Sequence, residues 1–178
     1  CFVGRVKRYK GVQHVLGALR LLLDRGVDCR LAVVGSGDYL EDLRGIARDL
    51  GLEDRVDFPG YVSHEEKVRW LRRSWVAVLP SEKEGWGLTV IEANACGTPV
   101  VASDSDGLRD SVRDGETGLL VPHGDEAALA DALQRVLEDH SLRGRLAQRD
   151  LPWARSLEWD ATARRMMSIM QAAAGKEG

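Results

Sequence analysis

The sequence predicts an α/β fold built as a doubly wound parallel sheet. Three observations carry this. Short apolar runs alternate with amphipathic helical patterns from one end of the chain to the other. The apolar runs are dense rather than alternating, as in strands covered on both faces. Gly and Pro fall between the two kinds of segment, where turns are needed. In such sheets ligands bind beyond the carboxyl ends of the strands, so function is sought in the strand-to-helix loops.

Taken in order, Phe2 to Gly4 reads as a brief strand. Val12, Val15, Leu16, Leu19, Leu22 and Leu23 then mark one face of a helix, closed by the cation of Arg25 and a C-terminal Gly26. Cys29 to Val34 is a buried strand and Leu40 to Leu50 a helix. Arg55 to Phe58 is a short strand ended by Pro59-Gly60, and His64 to Arg73 a short helix. Trp75 to Leu79 is a strand stopped by Pro80, and Gly87 to Ala95 a helix ended by Gly97 and Pro99. Pro99 to Ala102 is a strand with Pro at its first residue, Leu108 to Val112 a short helix, and Gly118 to Val121 a strand. Asp125 caps a helix whose stripe is Ala128, Leu129, Ala132, Leu133, Val136 and Leu137. A last helix carries Ala163, Met166, Met167 and Met170, read as core at helical spacing. Residues 1–174 form one domain and 175–178 a frayed tail.

Composition narrows the function. The 178 residues carry 25 Lys and Arg against 28 Asp and Glu, a formal charge of −3. That balance argues against nucleic-acid binding by bulk phosphate attraction. A 44% hydrophobic share argues against disorder. Cys1, Cys29 and Cys96 fit no zinc spacing, and the last two read as small core residues in a reducing compartment. No run is long enough to span a membrane and no signal peptide is visible, so a cytoplasmic location is expected. The chain begins inside a strand and without Met, which points to a piece of a longer protein.

Four loops hold the candidate chemistry. In Gly4 to Gly11, the cations Arg5, Lys7, Arg8 and Lys10 lie between a strand and a helix N-terminus, which suits phosphate; a solvated basic loop explains the charges equally well. Gly35-Ser36-Gly37 starts like a dinucleotide fingerprint but lacks the third glycine, and reads better as a tight turn. No Walker sequence occurs. In Ser81 to Leu88, Gly85 and Gly87 bracket Trp86 where a helix begins, so backbone N–H groups can approach an anion. That helix is apolar nearly all round apart from Thr89, Glu92 and Asn94, so Glu92 needs donors, either from protein or from ligand hydroxyls. Ala102 to Leu108 is a polar loop that serves as a turn and cap or as a ligand contact.

Glu84 and Glu92 stand in Glu-Gly-Trp-Gly-Leu-Thr-Val-Ile-Glu-Ala-Asn-Ala-Cys-Gly-Thr-Pro-Val-Val-Ala, and this stretch resembles the signature of retaining glycosyltransferases of family 4, or glycosyltransferase group 1. Gly4-Arg5 through Lys10-Gly11 is similar to the family's phosphate-binding element, and Gly35-Ser36-Gly37 to its glycine turn. Phe58 to Val62 and Asp114 to Val121 are similar to two further family segments, so the resemblance spans nearly the whole chain. Trp86 stands where the family usually has Phe, and the loop at Asp106 holds fewer glycines.

The resemblance implies the Rossmann-like C-terminal half of a GT-B fold, with the N-terminal acceptor domain absent from this chain. It implies a nucleotide-diphosphate-sugar donor, with Arg5 and Lys10 on the diphosphate and N–H groups of Gly85, Trp86, Gly87 and Leu88 on phosphate. Glu84 would contact the sugar as the catalytic carboxylate, Glu92 the ribose, and Val62 the base. No metal or cofactor is implied, and no Asp-x-Asp cluster is read as a metal site. The expected partners are the donor and the chain's own N-terminal domain, with peripheral contact at the inner face of the membrane through that missing half. The last helix would cross back to the other domain, leaving part of its Met stripe exposed. His14, His64, His123 and His140 read as surface residues, and Trp70, Trp75, Trp153 and Trp159 as packing groups. Two other classes share features with these residues: a sugar-nucleotide epimerase of the same architecture, and a non-catalytic nucleotide-sugar-binding module, which would not need Glu84.

Overall fold

A computed structural model describes residues 1–174, so the expected tail at 175–178 lies outside the described residues. Strands β1 (Phe2–Val3), β2 (Leu31–Val34) and β3 (Val56–Gly60) pair in parallel, as do β4 (Ala77–Leu79), β5 (Val100–Ser103) and β6 (Gly118–Val121). The two halves join between β1 and β4. Cys1 N donates to Val76 O at 2.8 Å and Val78 N donates to Cys1 O at 2.8 Å, which is the parallel ladder pattern. The spatial order is therefore β3-β2-β1-β4-β5-β6, the doubly wound arrangement, with the order reversing between β1 and β4.

The strands bury both faces because their side chains alternate between two cores. Phe2, Val33, Val78, Val101 and Leu119 pack into one cluster; Val3, Val34, Leu79 and Ala102 pack into the other. The first cluster is covered by α1 (Val12–Asp24), α2 (Leu40–Asp49) and α6 (Glu126–Glu138), through residues such as Leu16, Leu43 and Leu133. The second is covered by α3 (His64–Arg73), α4 (Leu88–Ala95) and the short α5 (Leu108–Ser111), through Leu71, Val90 and Leu108. Asp125 caps α6 as expected, accepting from Ala128 N at 2.9 Å. Pro59 lies inside β3 rather than beyond it; β3 is an edge strand, where a missing N–H costs no ladder bond.

One helix escaped the sequence reading. α7 (His140–Ser156) is capped by Asp139, which accepts from Leu142 N at 2.8 Å. Its stripe runs Leu142, Leu146, Asp150, Ala154, so a carboxylate occupies one core position. Gly144 and an interior Pro152 weaken the pattern further. α7 starts against the first core and reaches α4 on the other face, where Asn94 Nδ2 donates to Asp150 Oδ1 at 2.9 Å. It thus wraps the β6 edge.

The last helix, α8 (Trp159–Ala174), buries none of its residues. Met166, Met167 and Met170 are 57–63% exposed, so the stripe is no core of this domain. Trp159 is also exposed rather than packed, whereas Trp75, though 55% exposed, lies under the Arg143 guanidinium at 4.3 Å. Trp153 does pack, donating Nε1–H to Ser111 O at 2.9 Å under the Arg113 guanidinium. No helix among the described residues is long and apolar enough to cross a membrane.

Candidate functional site

The crevice between β1 and β4 is where the strand order reverses, so the loops leaving these two strands face each other across it. The β1 loop is seated on the β2 loop by close backbone contact. Gly4 N donates to Val34 O at 3.0 Å and Val6 N to Ser36 O at 2.9 Å. A Cβ at Gly35 would lie 1.9 Å from Gly4 O, and one at Gly37 would lie 1.9 Å from Val6 O. Gly-Ser-Gly is thus neither a dinucleotide fingerprint nor only a turn; it is the floor on which the basic loop rests.

Two of the basic loop's cations are placed differently by that seat. Lys7 turns to Asp38 at 2.6 Å, on the surface. Arg5 is exposed and lines the crevice, held by no ion pair among the described residues. A 3-10 turn at Arg8–Lys10 then brings Lys10 across the crevice to Glu84. Lys10 Nζ donates to Glu84 Oε1, and Ser81 Oγ donates to the same oxygen at 2.8 Å. The Lys10 and Glu84 side chains are only 13% and 16% exposed, so this pair is shielded from screening.

The β4 loop presents the start of α4. Gly87 caps it with a left-handed backbone and no side chain caps it, so first-turn N–H groups remain open to a ligand. The Ala102 to Leu108 loop supports this turn from below. Gly107 has φ +79°, and a Cβ there would lie 2.3 Å from Glu84 O, so only glycine fits. At Gly85 a Cβ would meet nothing within 4 Å, so the protein's own packing does not demand that glycine. Asp104-Ser105-Asp106 does have Asp-x-Asp spacing, which the sequence reading passed over. Both carboxylates turn to Arg109. Among the described residues no group of three or more His, Cys, Asp or Glu could hold a metal ion.

The crevice consists of two adjoining hollows that share Val3, Gly4 and Arg5. One, of about 400 Å³, holds Lys10, Glu84 and Gly85 to Thr89. The other, of about 310 Å³, holds Gly35, Tyr61, Val62 and Lys67. Glu92 lies on α4 beside the second hollow and takes its donor from protein: Lys67 Nζ, at 2.5 Å. The structure therefore gathers Arg5, Lys10, Glu84 and Gly85 to Leu88 around one hollow and Val62 by the other, and ties Glu92 to it through Lys67. Sequence reading missed Ser81 and Lys67. Ser81 stood three residues before Glu84, a visible signal; Lys67 is one charge on a charged helix and gave none. A wider hollow of about 520 Å³ lies near Cys1, Trp70 and Trp75, at the opposite ends of the strands, and holds none of the predicted residues. His123 lies on the surface against Pro80 O (3.1 Å) and His14 pairs with Glu126 (3.2 Å); neither lines either of the two hollows.

The family model described as Glycosyl transferases group 1 matches residues 1–150. The chain is 42% identical over 172 residues to a D-inositol 3-phosphate glycosyltransferase of Frankia alni, covering 92% of this chain and 42% of that protein. Its fold is similar to sucrose-phosphate synthase from Thermosynechococcus elongatus, with TM-score 0.85 and 34% identity over 98% of this chain and 45% of that one. It is also similar to the C-terminal domain of a glycosyl transferase group 1 family protein from Francisella tularensis, with TM-score 0.77 and 26% identity over 88% of this chain and 83% of that one. The chain thus spans about two fifths of the length of the curated relatives it matches.

Proposed function

The chain belongs to the Glycosyl transferases group 1 family, and on that premise we propose that it is the donor-binding half of a retaining glycosyltransferase that holds a nucleotide-diphosphate sugar in the β1/β4 crevice. The observation that carries this reading is the convergence of Arg5, Lys10, Glu84 and the uncapped start of α4 on one hollow. A diphosphate needs fixed positive charge and N–H donors, and both are present there.

Arg5 and Lys10 would hold the diphosphate and stabilise the charge that develops on it as the glycosidic bond breaks, so side chains rather than a metal ion supply that charge. N–H groups from Gly85 to Leu88 would complete the phosphate cradle. Glu84 would accept hydrogen bonds from hydroxyls of the transferred sugar. Lys10 and Ser81 already donate to that carboxylate, so donor binding would exchange one set of partners for another. Val62 would line the base and Glu92 the ribose. The acceptor would sit on a second domain of a longer protein, with peripheral membrane contact there. A cytoplasmic location suits the three unpaired cysteines.

The test is calorimetric titration of the chain, without metal, against UDP-, GDP- and ADP-sugars. Binding of one of them, lost in Arg5→Ala and in Glu92→Ala, is expected, with no sugar transfer by the chain alone. Binding that both substitutions leave intact would overturn the assignment of the crevice, and transfer by the chain alone would overturn the need for a second domain. Glu84→Ala in a longer, active protein separates a transferase from a binding module, since only transfer requires that carboxylate.

A further inference from the structure

Glu92 and Lys67 are 25 residues apart and belong to helices that follow different strands, yet they meet at 2.5 Å. Glu92 has few other prospects. On α4 the residues three and four positions away are Leu88, Thr89 and Ala95, and among the described residues Lys67 is the only side chain that donates to it. The helix that carries the lysine is anchored at its start. α3 begins with a reciprocal cap in which Ser63 Oγ accepts from Glu66 N at 3.2 Å and Glu66 Oε2 accepts from Ser63 N at 3.0 Å. Lys67 follows directly, and its side chain is 23% exposed. It also lines the smaller hollow with Tyr61 and Val62.

We propose that Lys67 is a positioning residue: it fixes the Glu92 carboxylate so that the oxygen left free meets the cis-diol of the donor's ribose. The inference rests on the donor-site reading above and deepens it. A carboxylate offers about four lone-pair sites, and Lys67 takes one, on Oε1. Oε2 remains for hydroxyl donors. Without the ammonium the Glu92 side chain loses the donor that holds it in place and regains its rotamer freedom. Lys67 itself need not touch the nucleotide, so its effect is confined to ligands that carry the diol.

That confinement is the test. The chain is titrated with UDP, GDP and ADP, and with the 2′,3′-dideoxy form of whichever binds. Lys67→Met and Lys67→Gln are expected to weaken the ribonucleotide roughly tenfold, the scale of one charge-assisted hydrogen bond. Both are expected to leave the dideoxy form within about twofold, and Lys67→Arg to restore most of the loss. Equal weakening of both forms would overturn the proposal, since it would place Lys67 on the base or phosphate. So would no weakening at all. Arg5→Ala separates the two levels. If it weakens both forms while the Lys67 variants change neither, only this inference fails; if it changes nothing, the donor-site reading fails with it.

Discussion

Asp150→Asn should make the domain more stable, and increasingly so as pH rises. Asp150 is fully buried on α7, and among the described residues the one side chain bonded to it is Asn94 on α4. Asp150 Oδ2 and Asn94 Oδ1 are both buried without a partner. Burial pushes the Asp150 carboxyl from its ordinary 3.8 up to about 8. At neutral pH the folded chain therefore keeps this proton while the unfolded chain releases it. A carboxyl raised on folding contributes its full stability below pH 3.8 and loses it as pH climbs to about 8. Each pH unit in that window costs about 1.4 kcal/mol, so from pH 5 to pH 7 the loss is about 3 kcal/mol. An amide set head to tail against Asn94 supplies the missing donor without titrating. Urea unfolding of both proteins at pH 5, 6 and 7 measures the difference, with m unchanged. The variant's advantage should grow with pH. An advantage that stays flat from pH 5 to 7, or a variant that is less stable at pH 7, would refute the protonated pair.

Three other outcomes follow from the geometry. Gly107→Ala should lower stability by about 1–3 kcal/mol and weaken nucleotide-sugar binding, because the new Cβ displaces the Glu84 carbonyl at a left-handed backbone position; a thermal melt and a titration read both effects. Ser63→Ala removes half of the cap at the start of α3 and should cost about 1 kcal/mol in urea unfolding. Met167→Ala should change stability by less than about 0.5 kcal/mol in this chain, since the side chain lies on the exposed face of α8. A larger loss would mean that α8 packs onto the domain.

Most of the architecture was legible because it depends on local periodicity. Dense runs at Leu31–Val34 and Val100–Ser103 and the stripe of α1 announce themselves without tertiary information. α7 was not legible, since its pattern is broken by a buried acid whose partner lies on another helix. The exposed Met stripe misled for the converse reason: helical spacing shows which residues share a face, not what covers it.

The site divides the same way. By itself the sequence determined the alternating βα order, the loops that carry charge and glycine, and the Glu84 and Glu92 pair. Only the tertiary structure decided how those loops meet. Lys10 and Glu84 come together because β1 and β4 are neighbours, and Glu92 finds Lys67 because the α3 and α4 helices cover the same face of the sheet. Pairings between residues 74 and 25 positions apart leave no local pattern, since burial and proximity are set by how the sheet is wound and not by spacing along the chain.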